Sequence, residues 1–218
     1  MPAFLTSAMG TLGRLFAPFR DGYWADRRFR RQLKKAPSSV LGSLEENTFA
    51  RVSGTVRPFG KRLLEAPLSG RLCVYYSFDV VSTRGVHDTI IGTEDEGMTF
   101  LLEDETGCAV IDPAHAVFSV GFDHETRSKA AFDATPKQRE ILERLDLIRR
   151  NWILTDHLVY REAILEIDET IAVLGAGVRE PDPEAVRTGL YRDDVAQRMR
   201  FTGTAKYPLV ITDDPRSL

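Results

Sequence analysis

The sequence predicts a mainly β protein: an OB-like small β-barrel with one interposed α-helix and a helical arm at its N-terminus. Three observations carry that expectation. In residues 64–78, Pro67 and Gly70 punctuate a turn that abuts Cys73-Val74-Tyr75-Tyr76-Ser77-Phe78. In residues 100–114, Glu103-Asp104-Glu105-Thr106-Gly107 separates Phe100-Leu101-Leu102 from Cys108-Ala109-Val110-Ile111. Runs rich in β-branched and aromatic residues, bounded by turn formers, are strand signatures. A later pair, residues 160–165 and 171–175, repeats the pattern. Between the pairs, Thr135-Pro136-Lys137-Gln138 supplies an N-cap, a proline at the first helical position and the Gln of a capping box, so a single helix interrupts the strands.

Taken in order, residues 3–19 space Phe4, Leu5, Met9, Leu12, Leu15, Phe16 and Phe19 mostly three or four apart, the period of one helical face, although Gly10, Gly13 and Pro18 weaken it. A second short helix is expected over 21–35, with Asp26 early and Lys34 and Lys35 late, as the helix dipole favours. It ends near Pro37, and Ser38, Ser39, Gly42 and Ser43 read as a linker. The expected organisation is therefore an arm and linker over 1–44 and a β domain over 45–218.

Within that domain, 49–56 reads as a strand and Pro58-Phe59-Gly60 as a turn. Strands follow at 73–81, briefly at 89–91, and at 98–102 and 108–111 around the acidic hairpin turn. Ile141, Leu142, Leu145, Ile148 and Trp152 share one face of the helix, with Glu140 and Arg144 paired outside. Residues 159–167 and 170–178 are expected as strands joined at Asp168-Glu169. Pro181-Asp182-Pro183 marks an exposed loop, and 199–203 with 209–211 complete the set.

The order and spacing of 64–78, 100–114, 160–175 and the closing 208–218 segment resemble the GIDE domain, also called the BAM domain. That β-rich module sits beside a membrane in MULAN-type mitochondrial ubiquitin ligases and in uncharacterised bacterial proteins. The resemblance covers roughly residues 45–218 and implies a scaffold for recruitment near a membrane. Two departures limit it. No run approaches the roughly 18–20 apolar residues of a spanning helix, whereas family members flank the domain with membrane helices. The zinc-binding RING that carries ligase activity has no counterpart in these residues, so ligase activity is not expected.

Charge is distributed unevenly. The chain totals −3, yet residues 1–44 hold eight basic residues against Asp21 and Asp26, giving +6 and leaving −9 for the rest. A basic arm on an acidic body directs the arm, not the body, toward anionic surfaces. With only Cys73 and Cys108, the chain is no disulfide scaffold, and both are expected as buried free thiols in a reduced, cytoplasmic setting, with a single disulfide between neighbouring strands as the alternative.

Candidate chemistry is sparse. His87, His115, His124 and His157 lack paired metal-ligand spacing and neither cysteine belongs to a C-x-x-C, so no metal or cofactor is expected. Nucleophile candidates are Cys73 or Cys108 with a histidine base, or Ser69 with His115 and an acid, but no nucleophile elbow accompanies them. Asp123-His124-Glu125 and Glu103-Asp104-Glu105 lack the calcium-loop pattern. Gly175-Ala176-Gly177 lacks the further glycine and helix of a phosphate loop. Tyr75, Tyr76 and Phe78 offer stacking faces for single-stranded nucleic acid, against which stands the body's −9.

The expected function is therefore non-enzymatic: a bacterial protein-interaction or recruitment module, cytoplasmic and peripheral at the inner membrane. Its unknown protein partner and an anionic membrane surface compete for the arm residues Phe4, Leu5, Leu12, Leu15, Phe16, Arg27, Arg28, Arg30, Arg31, Lys34 and Lys35. Packing of the arm on its own domain is the third reading. The alternatives are a hydrolase or transferase with a loop-assembled site, or an OB-like single-stranded nucleic-acid binder.

Overall fold

A computed structural model describes residues 35–83, 88–149, 157–182 and 196–216. The arm expected over 1–34 lies outside them. The described residues form strands β1 (Ser38–Ser39), β2 (Ala50–Pro58), β3 (Leu64–Glu65), β4 (Leu72–Cys73), β5 (Tyr75–Ser82), β6 (Thr89–Gly97), β7 (Phe100–Asp104) and β8 (Gly107–Asp112). They continue with β9 (Ala116–Ser119), β10 (His124–Ser128), helix α1 (Pro136–Arg144), β11 (Leu158–Leu165), β12 (Thr170–Gly175), β13 (Gly177–Pro181), β14 (Gln197–Thr202) and β15 (Leu209–Thr212).

The mainly β class holds, but the barrel does not. A nine-stranded sheet runs β13-β14-β8-β7-β2-β12-β15-β9, with β1 added beside β2, while β10-β11-β5-β6 make a separate four-stranded sheet and β3-β4 a small ribbon. The end strands β13 and β9 do not pair with one another, so the large sheet stays open. The late strands extend the sheet instead of closing it: β14 joins β8 and β15 joins β9, both in parallel.

Alternation explains the large sheet. Val52 and Val56 of β2, Phe100 and Leu102 of β7, and Met199 and Phe201 of β14 point to one buried face at intervals of two or four. Gly54 interrupts β2 because β7 passes too close for a side chain: a Cβ there would lie 2.5 Å from the carbonyl oxygen of Glu103. The β7–β8 hairpin forms where the acidic turn was expected. Asp104 fastens it by accepting from Thr106 N at 2.7 Å and Gly107 N at 2.9 Å.

The same carboxylate accepts from Leu41 N at 2.8 Å. Residues 38–44, expected as a linker, are thereby tied to the domain: Ser38–Ser39 pair with β2, and Leu41 and Leu44 enter the core.

In the four-stranded sheet every residue of β5 is buried. Tyr76, Phe78 and Val80 face a second core with Tyr160, Ile164 and, from α1, Ile141 and Leu142. The capping box forms as expected, with Thr135 N donating to Gln138 Oε1 at 2.8 Å and Gln138 N to Thr135 Oγ1 at 3.3 Å. The helix ends at Arg144 and Trp152 lies outside the described residues. Leu145 and Ile148 still pack on the second core beyond the helix end.

The expected strand pair at 159–178 does not exist as a pair. β11 belongs to the four-stranded sheet and β12 to the nine-stranded one, so Asp168-Glu169 is the passage between sheets and not a hairpin tip. Backbone bonds from Val56 N to Glu169 O (2.8 Å) and from Asp168 N to Val56 O (3.0 Å) hold that passage against β2.

Candidate functional site

The nucleophile candidates sit in different surroundings. Cys73 is fully buried at the end of β4, and its thiol is pushed up to about 12, first by burial and then by the charges of Glu162 and Glu166. At neutral pH it stays protonated, whereas the thiolate is the nucleophile. Cys108, expected as buried, is only half-buried because it stands at the solvent end of β8 beside the hairpin turn; both cysteines are free thiols.

Glu162 is the one wholly buried carboxylate among the described residues. It accepts from Leu68 N at 2.6 Å and Ser69 N at 3.0 Å, so both oxygens are committed to the turn ahead of β4. A buried acid with two amide donors is a structural clasp, since its lone pairs are spent on groups that would otherwise be orphaned. The register puts His124 of β10 directly across from it. Ser69 is held in that turn, while His115 sits exposed between β8 and β9 in the other sheet. His157 is exposed before β11, and His87 lies outside the described residues.

The acidic stretches are also spoken for. Asp123 accepts from Ile164 N at 3.0 Å, and Glu125 pairs with Arg127 and Arg161. Glu103 pairs with Arg57, which also meets Asp168. Among the described residues no group of three or more His, Cys, Asp or Glu side chains is placed to hold a metal ion. Tyr75, Tyr76 and Phe78, expected as stacking faces for nucleic acid, are interior: Tyr75 stacks on Phe118 with ring centroids 3.6 Å apart, and the other two belong to the second core. Gly175 serves close packing, as a Cβ there would lie 2.3 Å from Leu209 Cδ2.

Of the arm candidates, Phe4, Leu5, Leu12, Leu15, Phe16, Arg27, Arg28, Arg30, Arg31 and Lys34 lie outside the described residues. Lys35 is exposed, and the adjoining Ala36 packs on Leu174 and Val210 on the outer side of the large sheet. Arg51 N donating to Pro37 O at 2.9 Å fixes the chain as it reaches the body. No helix among the described residues is long and apolar enough to cross a membrane.

Sequence reasoning missed strand β6. A short strand at 89–91 was expected, yet β6 runs nine residues and carries Glu94-Asp95-Glu96 within it. Those acids are poor strand formers, and what overrides them is pairing: β5 lies alongside, with Tyr76 opposite Glu96 and Phe78 opposite Glu94. Tyr76 OH donates to Glu96 at 2.9 Å and to Glu94 at 3.2 Å, and Arg144 of α1 donates to Glu94 at 2.9 Å. Burial, followed by the Glu96 hydrogen bond, drives the Tyr76 hydroxyl well above its usual range, so it remains a donor. The signal available in the sequence was Thr89-Ile90-Ile91, which marks only the start.

No protein-family model matches the chain, and no curated protein or solved structure matches it either.

Proposed function

We propose that the chain is a non-enzymatic recruitment module, in which the basic arm attaches to an anionic membrane surface and the β-rich body meets a protein partner. The observation that carries this reading is the segregation of charge, +6 on residues 1–44 against −9 on the remainder. Near an anionic bilayer each arm cation contributes about 1 kcal/mol, and the apolar residues at helical spacing add burial in the interface. The body's charge opposes its own approach, so attachment through the arm orients the body away from the surface. A protonated Cys73 and a Glu162 spent on backbone amides support the non-enzymatic reading.

The test uses the full chain and a full-length variant with Arg27, Arg28, Arg30 and Arg31 each changed to Glu. Cosedimentation with phosphatidylserine-containing vesicles should pellet the wild type at low salt, release it as salt rises, and leave the variant in the supernatant. Wild type remaining in the supernatant at low salt, or pelleting equally with uncharged vesicles, overturns the reading.

A further inference from the structure

A sheet edge exposes unpaired N–H and C=O groups, and proteins guard such edges by shortness, proline, charge of the right kind, or a covering segment. The described edges differ sharply in this respect. At β13, Asn47 N donates to Gly177 O at 2.8 Å, Glu46 accepts from Arg179 N at 2.6 Å, and the strand stops at Pro181. β9 is four residues long. β10 is five residues long and carries the Glu125, Arg127 and Arg161 ion pairs at its margin.

Among the described residues β6 is guarded less than these, by its acids and the Glu94–Arg144 ion pair alone. It is a nine-residue edge with no proline, lysine or arginine, no described strand pairs with its outer side, and Ile90 is 58% exposed on it. The bulge between Val80 and Val81 affects only one end, and Gly92–Gly97 pair with Tyr75–Val80 in unbroken register. The outer side of that regular run is therefore a straight template for another strand.

Resting on the recruitment reading, we propose that the outer edge of β6 is where the partner binds, by adding an extended, basic segment as a fifth strand. Backbone pairing supplies the attachment and side-chain alternation the selectivity. Glu94 and Glu96 lie on one face two residues apart. Glu94 is matched by Arg144, whereas Glu96 is exposed and receives only the neutral Tyr76 hydroxyl among its described hydrogen bonds. An incoming strand with Lys or Arg at alternate positions places its cations against these carboxylates. Uncharged β-forming residues between them suit the Thr89-Ile90-Ile91 end.

The probe is a fluorescein-labelled nine-residue peptide of alternating lysine and threonine, titrated with the full chain and read by fluorescence anisotropy. Saturable binding is expected, with at least a fivefold loss for Ile90→Lys and for Glu96→Gln. Both variants should keep the wild-type circular dichroism and melting temperature. A peptide N-methylated at alternate amides should not bind, and peptide addition should slow hydrogen exchange across 92–97. Absence of saturation, equal binding of the N-methylated peptide, or unchanged binding by Ile90→Lys overturns the proposal. Vesicle cosedimentation of Glu96→Gln separates the two readings: it should match wild type, and failure of vesicle binding with peptide binding intact removes the membrane role while the edge site stands.

Discussion

The nine-stranded sheet is packed mainly with hydrocarbon, Arg198 and Thr212 being its buried polar residues, whereas the four-stranded sheet takes more polar groups inside. In the first, Val52, Phe100, Leu102, Ile111, Val173 and Phe201 are all fully buried. In the second, Ser77, Asp79, Ser82, Ser128 and Glu162 are buried beside Phe78 and Tyr160. Apolar burial is non-directional and proportional to area, so the large core depends on filled volume, with close approaches at Gly54 and Gly175 setting its limits. Buried polar groups require partners at defined positions, so the small sheet depends on particular bonds such as Glu162 to the 68–69 turn and Gln138 Nε2 to Thr126 Oγ1 at 2.9 Å. Each sheet has its own apolar core, and the smaller one adds polar bonds that fix the strands next to β6.

The strongest way to break this comparison is to empty the large core. Phe201→Ala removes a fully buried ring and should cost about 3–5 kcal/mol of unfolding free energy in a denaturant titration. A loss below about 1 kcal/mol would mean that the large core does not depend on filled volume. Glu162→Gln tests the small sheet. The amide keeps one acceptor but turns an N–H toward a backbone donor, and the expected cost is about 2 kcal/mol, the penalty of one buried unsatisfied group. An unchanged transition would show that the 67–70 turn does not depend on the clasp.

The pH-dependent effect belongs to the passage between sheets. Glu169 is raised to about 7 from a usual 4.5, first by burial and then by the charges of Asp123, Glu166 and Asp213. The folded state therefore binds the proton more tightly than the unfolded state. Its contribution to stability is complete below pH 4.5 and is lost as pH rises through about 7. Glu169→Gln should flatten the decline in melting temperature between those values and stabilise the protein at pH 8. Parallel pH profiles for variant and wild type would refute the assignment.

How much was legible follows the range of the interaction. The α1 cap is written within residues 135–138, where Thr135 and Gln138 satisfy one another's backbone groups and Pro136 starts the helix, and it forms as read. The β7–β8 hairpin is equally local, because Asp104 bonds to residues two and three positions on. Asp168-Glu169 carries similar turn chemistry, with Asp168 at a positive φ of 70°, yet the strands on either side part company. Nothing local distinguishes a hairpin tip from a change of sheet; the partners β5, β2 and β15 decide it. The candidate site was less legible than the fold, since the strand signal stops at Thr89-Ile90-Ile91 and Glu94-Asp95-Glu96 joins the strand only where Tyr76 and Arg144 are placed against it.

By itself the sequence determined the β-rich class, the one capped helix, the hairpin at 105–106 and the opposition of a basic N-terminal segment to an acidic remainder. Each depends on residue spacing within a few positions or on a sum of charges. Only the tertiary structure decided that the strands divide between two open sheets and a small ribbon, that Leu41 and Leu44 belong to the core, and that β6 extends through its acids as a long edge with no described strand on its outer side. Those outcomes depend on which distant strands meet, because pairing and burial are settled by contacts across the chain whose free energy no local window contains.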